Sequence, residues 1–411
     1  MMPQGSRVLR GQFFGILLTY CENLLRLVYG VSVLLFARKL LSAEMFSVFA
    51  FYLALAVLLY GFSKFALDGY AVRALVRHPE VGRSLVLRLV LFRLACSIVY
   101  FLLFLVGLTL AKKIQSEFIP LLAFQLLRPA DSVEWLLRAT NRIAWQATDR
   151  ICSMLTVLAS LVVVYLLDLH LAPVQLVLIL AVEWSLLALL CFAWFMKQPR
   201  QEKHYFSGAT NLLFDVVRGS VPAYMAYVLF LVYSKLDQLV LEGIIDSVAY
   251  GNYMIAARLN ESAVIVIVSL NMVVYPRLVQ LYLDSASKFL AAVHRTSMLF
   301  LFLGVCVIFS VWCMRAMYPL LSTAIQDFLP FQVLEYLSWM IFSVLPVFFF
   351  GLRSSYFTII DKPRHILWGG VLGLATMLFI GIPLMTNWGG HGGAVALCLS
   401  AFTALFVSNY I

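Results

Sequence analysis

The sequence predicts an all-α, polytopic membrane protein with about twelve transmembrane helices in two six-helix bundles. Three observations carry this. Of its 411 residues, 63% are hydrophobic and 12% are charged, with a mean hydropathy of +0.95. Soluble chains carry roughly 25% charged residues. Apolar runs recur at the length that a bilayer demands, about 20 residues at about 1.5 Å rise each. The longest polar connection falls after the sixth run and halves the chain, which gives 1–196 as an amino-terminal bundle, 197–216 as a cytoplasmic linker and 217–411 as a carboxy-terminal bundle.

In chain order the spans are expected at 12–36, 45–67, 85–110, 118–137, 151–168 and 174–196, then at 219–241, 250–272, 296–318, 331–352, 366–386 and 394–411. Their connections set the orientation. The amino terminus and the loops after even-numbered spans hold about eighteen cations, among them Arg73, Arg77, Arg83, Arg138, Arg142, Arg150, Lys197 and Arg295; the other loops hold Arg38, Lys39, Lys112 and Lys113. Cytoplasmic loops keep the excess of Lys and Arg, so both termini are expected in the cytoplasm. The net charge of +10 therefore reflects topology, and nucleic acid is not needed to explain it. The loops after spans two and eight, YAVRALVRHPEVGRSL and RLVQLYLDSASKFLAAVHR, are basic and part-amphipathic, as expected of short interfacial helices. Pro222, Pro276, Pro346, Gly351 and Pro383 fall where they would kink or loosen spans.

Several function classes are absent from the motif inventory. The seven cysteines lie almost entirely in apolar runs with no CxxC pair, and neither a disulfide framework nor a zinc site is indicated. The six histidines form no HExxH, and there is no P-loop and no GxGxxG. No metal, cofactor or catalytic constellation is expected. A membrane glycan polymerase or ligase would carry a large outer loop, whereas the outer loops here are short and nearly uncharged. The first apolar run is too long and too charged for a cleavable signal. The run WGGHGG, Trp388 to Gly393, reads as a tight outer turn.

Charges inside the spans point to function, because hydrocarbon tolerates few. Lys64, Arg88 and Arg315 lie near span ends and can snorkel. Arg26, Arg93, Arg128, Lys235 and Arg258 cannot be placed so easily. Counting from the outer ends puts Asp237 about 6 Å deep, Lys235 about 9 Å and Arg258 about 12 Å. Three of these cations have a candidate structural partner on their own helix: Glu22 and Arg26 are i,i+4, while Arg128 with Asp131 and Arg258 with Glu261 are i,i+3. The competing reading is a water-filled cavity whose cations Arg26, Arg93, Arg128, Lys235 and Arg258 receive an anionic headgroup. Asp237, Glu22, Glu261 and Asp131 would then orient them or take up a coupling ion. In span eight, Arg258, Ser262 and Ser269 share one face, and Asn260 and Asn271 lie nearly opposite.

Tyr233 to Glu261, YSKLDQLVLEGIIDSVAYGNYMIAARLNE, concentrates these signals, and its DSVAYGNY echoes SAEMFSVF at Ser42 to Phe49, with Phe46 over Tyr250 and Ser47 over Gly251. Six spans apart, the two copies would have the same membrane orientation, as in parallel-repeat transporters. This hairpin, with Tyr250-Gly251-x-Tyr253-x-x-Ala256 and a polar span ending at Tyr275-Pro276-Arg277, resembles the polysaccharide-repeat-unit flippases. These are the Wzx-type O-antigen translocases of the multidrug, oligosaccharidyl-lipid and polysaccharide exporter (MOP) superfamily. The first hairpin is similar to the matching amino-terminal pattern, with Ser47 where a glycine is usual.

The resemblance implies MATE-like paired bundles around a cationic cavity in the cytoplasmic (inner) membrane. It implies export of an undecaprenyl-pyrophosphate-linked oligosaccharide, such as an O-antigen unit in lipopolysaccharide biosynthesis, by alternating access. Partners would be that substrate, membrane lipid, and polymerase and chain-length proteins of the same pathway. Arginine forks suit a diphosphate. Rivals within the superfamily are a cation-coupled antiporter, whose cavity would tend to acidic and aromatic linings, and a lipid-linked peptidoglycan precursor flippase, often with fourteen spans.

Overall fold

The computed structural model describes residues 4–140, 142–169, 171–197, 206–360 and 364–410, without side chains at several points that include 4–17, 265–269, 271–273, 275–277 and 350–355. Expectations resting on Ser269, Asn271, the side chains of Tyr275 to Arg277, and 198–205 of the linker lie outside the described residues. Sixteen α-helices follow in order, with no strand among the described residues. They are α1 (Gln4–Leu40), α2 (Ala43–Lys64), α3 (Asp68–Arg77), α4 (Gly82–Leu110), α5 (Ile119–Ala123), α6 (Val133–Ala139), α7 (Ile143–Leu166) and α8 (Pro173–Met196), then α9 (Phe206–Leu241), α10 (Ser247–Asp284), α11 (Ala286–Met317), α12 (Thr323–Phe328), α13 (Phe331–Met340), α14 (Val344–Ile359), α15 (Arg364–Thr376) and α16 (Ile382–Tyr410).

Among the described residues, nine stretches are long and apolar enough to cross a membrane. The last, Arg364–Val407, reverses at Gly389 (φ +55°) and so holds two of the expected spans. The reversal needs glycine: a Cβ on Gly392 would lie 2.0 Å from the Leu384 carbonyl oxygen. The span expected at 250–272 lies within α10. The span expected at 118–137 is broken into α5, a 3₁₀ stretch Phe124–Ser132 and α6. Pro129 causes this, since it lacks an N–H and clashes with the preceding turn. Among the described residues this is consistent with about twelve passes, and the chain is a multi-pass membrane protein.

The repeated motif has a physical counterpart. Ser42 Oγ accepts from the Met45 N–H (3.3 Å) and begins α2; Asp246 Oδ1 accepts from Val248 (3.0 Å) and Ala249 (2.9 Å) and begins α10. Aligned residues thus do the same capping work. Both copies also meet directly. A Cβ on Gly251 would fall 2.8 Å from the Phe46 ring, so glycine at 251 admits the aromatic of the first copy.

By contact the chain forms two compact units, one of residues 1–29 and 55–224, the other of 30–54 and 225–411. In the first, α3 buries Ala71, Ala74 and Leu75 in a cluster with Leu85, Leu89, Val133, Trp135, Phe195 and Val216. Its N-terminus is tied down by Trp135 Nε1, which donates to Asp68 (2.7 Å). In the second unit the core runs through Tyr250, Tyr253 and Ile255 of α10 with Val333 and Leu334 of α13. The basic loop expected after span eight is no separate interfacial helix: α10 continues to Asp284 and α11 begins at Ala286, with only Ser285 extended between them. Its apolar residues recur often enough to extend both helices.

Candidate functional site

In the first unit the intramembrane charges form two networks. Arg93 has no exposed surface. Its Nη1 donates to Asp131 and to Ser132 Oγ (2.8 Å), its Nε donates to the Ser63 carbonyl (3.3 Å), and its guanidinium lies 5.2 Å from the Trp135 ring centre. Tyr60 completes Asp131 with a hydroxyl bond of 2.8 Å. The 3₁₀ stretch made by Pro129 carries Asp131 and Ser132. Arg93, expected to line the cavity, has no exposed surface in this structure, and its bonds tie α4 to the broken span.

The second network joins α1, α6 and α7. Glu22 pairs with Arg26, as the i,i+4 spacing predicts, and also accepts from Arg150 Nη1 (3.1 Å). Arg150 forks onto Glu134, with Nε on Oε1 at 2.7 Å and Nη2 on Oε2. Gln146 donates to Glu134 (2.8 Å) and accepts from Arg138 Nε (3.0 Å). The Arg26 side chain remains 37% exposed while Glu22 is 5%. Arg128 stands apart from both networks. Its guanidinium lies 4.4 Å from the Tyr60 ring centre and 5.0 Å from that of Trp184. Its i+3 neighbour Asp131 bonds Arg93 and Tyr60.

The second unit is leaner. Lys235 and Arg258 converge on one carboxylate, Glu261: Lys235 Nζ bonds Oε1, and Arg258 Nη1 bonds Oε2 at 3.2 Å. Gln238 bridges, donating to Glu261 Oε1 (2.9 Å) and accepting from Lys235 (3.3 Å). Arg258 and Glu261 keep 30% of their side-chain surface, Lys235 only 8%. The expected polar stripe is only partly available, because the Ser262 hydroxyl donates to the Arg258 carbonyl (2.8 Å). On the far face Asn260 donates to Ser343 Oγ (3.1 Å).

Asp237 belongs to another environment. It is fully buried, accepts the Tyr253 hydroxyl on Oδ2, and leaves Oδ1 without a hydrogen-bond partner. The Tyr253 ring packs edge-on against Tyr336, itself edge-on to His391.

Of the three same-helix pairs that spacing predicts, Glu22 with Arg26 and Arg258 with Glu261 form, while Asp131 bonds Arg93 and Tyr60 in place of Arg128. Arg150, assigned to a loop, and the aromatic contacts of Arg128 were not predicted. The signal for Arg150 was present: Gln146 and Arg150 are i,i+4 on a helix that begins eight residues before the apolar run. Among the described residues no group of three or more His, Cys, Asp or Glu is placed to hold a metal ion.

A family profile described as "Polysaccharide biosynthesis protein" matches residues 8–282. No curated protein matches the chain by sequence. Among solved structures it is similar to an inward-facing multidrug-resistance MATE family transporter of the MOP superfamily. That likeness has a TM-score of 0.72 at 13% identity, covering 94% of this chain and 92% of that one. It is similar to the lipid II flippase MurJ in an inward closed conformation, at 0.64 and 15%, covering 97% and 87%. It is also similar to a MOP superfamily transporter from Pyrococcus furiosus whose binding pocket is described as having reverse polarity, at 0.60 and 14%, covering 98% and 94%. At these identities the likeness establishes a shared fold.

Proposed function

Because this chain belongs to the polysaccharide biosynthesis protein family of the MOP superfamily, we propose that it is a Wzx-type flippase, carrying an undecaprenyl-pyrophosphate-linked oligosaccharide from the inner to the outer leaflet of the cytoplasmic membrane. The protein is then a transporter and not an enzyme. Both termini face the cytoplasm, and the halves 1–196 and 217–411, joined by the linker, are the bundles whose movement alternates access.

The observation that carries this reading is the sharing of Glu261. Two cations at membrane depth, Lys235 and Arg258, bond to one carboxylate, and Arg258 keeps 30% of its side-chain surface. Desolvated charge is costly unless matched, so the surplus cation suits an anionic ligand, and a guanidinium fork suits phosphate oxygens. Within the first unit, Arg128, stacked on Tyr60 and Trp184, and the part-exposed Arg26 are further candidate cations for diphosphate or sugar hydroxyls. Asp237 is the candidate coupling group, a buried carboxylate with one oxygen free. Glu22 and Asp131 orient arginines. Polymerase and chain-length proteins of the same pathway would take the product onward.

Deleting the gene is expected to abolish surface polysaccharide and to leave a lipid-linked oligosaccharide on the cytoplasmic face. Arg258→Ala should reproduce the loss at wild-type protein level. An antiporter of the same superfamily would instead rest on Asp237: in that case deletion accumulates no lipid-linked oligosaccharide, and Asp237→Asn abolishes cation-coupled efflux.

A further inference from the structure

Gly30 lies on α1, one turn beyond Arg26, and belongs to the same contact unit as Arg258. It is buried, and the Arg258 guanidinium lies directly on it. A Cβ at position 30 would fall 2.6 Å from both Nε and Nη2 of Arg258 and 2.9 Å from Cζ. Such distances are well inside van der Waals contact, so any other residue moves the guanidinium. Arg258 Nη1 reaches Glu261 at 3.2 Å on its own helix, and Lys235 contests the same carboxylate. Arg258 is thus aimed by two contacts: a carboxylate three residues along α10, and the bare backbone of a neighbouring helix.

Glycine at this point works against local stability. In a helix interior it costs about 1 kcal/mol relative to alanine. The clash that alanine would meet is with the far end of a flexible side chain, which can swing aside at little cost in folding. A purely structural role therefore predicts that Gly30→Ala is neutral or stabilising.

We propose that Gly30 is a positioning residue for Arg258, keeping open the seat that fixes the guanidinium where it meets the anionic group of the substrate. This rests on the flippase reading above. The chemistry concerned is a diphosphate or comparable oxyanion, for which a displacement of a guanidinium by an ångström or two spoils paired N–H···O geometry.

The test compares four single variants and one double variant in cells lacking the chromosomal copy, scored as surface polysaccharide per unit of membrane-inserted protein, with melting temperature in detergent as control. Gly107, with nothing within 4 Å of a built Cβ, supplies the reference substitution. Gly30→Ala is expected to cut export at least tenfold, as Arg258→Ala does, without lowering the melting temperature; Gly107→Ala exports like wild type. Adding Gly30→Ala to Arg258→Lys, whose shorter ammonium clears the seat, should cost less than twofold further. Wild-type export by Gly30→Ala beside a dead Arg258→Ala overturns the role of Gly30 and leaves the flippase reading standing. Wild-type export by Arg258→Ala sinks both. A lower melting temperature or less protein in Gly30→Ala assigns the glycine to packing instead, and equally overturns the proposal.

Discussion

The two contact units handle buried charge in opposite ways. In the first, three carboxylates at membrane depth are multiply bonded, Asp131 by Arg93 and Tyr60, Glu134 by Arg150 and Gln146, and Glu22 by Arg26 and Arg150, while the part-buried Glu183 accepts the Tyr29 hydroxyl (2.6 Å). In the second, two cations divide Glu261, and a further carboxylate, Asp237, accepts a tyrosine hydroxyl and forms no ion pair among the described residues. Removing an ion from water costs several kcal/mol, which only close and complete pairing offsets. A matched, surface-free pair is therefore architecture, whereas an under-matched and partly exposed one has capacity left for a ligand. By that criterion Arg93 and Arg150 hold helices together. Arg258, which shares its carboxylate and keeps 30% of its side-chain surface, is the cation we propose for the substrate.

The largest effect expected from this contrast is at Asp131. Asp131→Ala strands the fully buried Arg93, and removing one partner of a buried pair costs about 3–5 kcal/mol. The protein should fall sharply in amount and melting temperature. Replacing both partners, Arg93→Met with Asp131→Leu, should recover most of the loss. A wild-type melting temperature with lost export in Asp131→Ala would turn the first unit from architecture into site and undo the contrast.

A smaller loss is expected at Arg150. In Arg150→Gln the fork to Glu134 disappears, but Gln146 still donates to Glu134, Arg138 lies within 3.9 Å of it, and Arg26 still pairs with Glu22. Leaving buried acceptors part-satisfied costs about 1–3 kcal/mol, readable as a lower melting temperature with export per folded molecule retained. Arg150→Lys should restore less than half of it, since an ammonium cannot fork.

What the sequence made legible follows from range. About twelve passes were readable because hydropathy is a property of consecutive residues, whereas the caps at Ser42 and Asp246 emerge from the structure behind the repeated motif. Glu22 with Arg26 and Arg258 with Glu261 were readable because each pair lies within one turn of its own helix. Arg93 with Asp131 is 38 positions apart and Lys235 with Glu261 is 26 apart, so those pairings depend on which helices become neighbours. The contact of Gly30 with Arg258 is less visible still, since a glycine in an apolar run carries no sign of what lies on it. Arg150 was hidden by the polar turns of Ile143 to Asp149, which look like loop until the carboxylates of α1 and α6 are seen to meet them.

The smallest effect expected, and the one that most sharpens the contrast, is at Ser262. Its position one turn beyond Arg258 suggests a hydroxyl lining the same polar face, but the hydroxyl donates to the Arg258 carbonyl within its own helix. A serine bonded back in this way contributes little to stability and has no free donor for a ligand. Ser262→Ala is therefore expected to change stability by no more than about 0.5 kcal/mol and to export polysaccharide at the wild-type rate. Loss of export in Ser262→Ala, at unchanged protein level and melting temperature, would mean that the hydroxyl turns toward the substrate during transport. The polar stripe of α10 would then be wider than Arg258 alone.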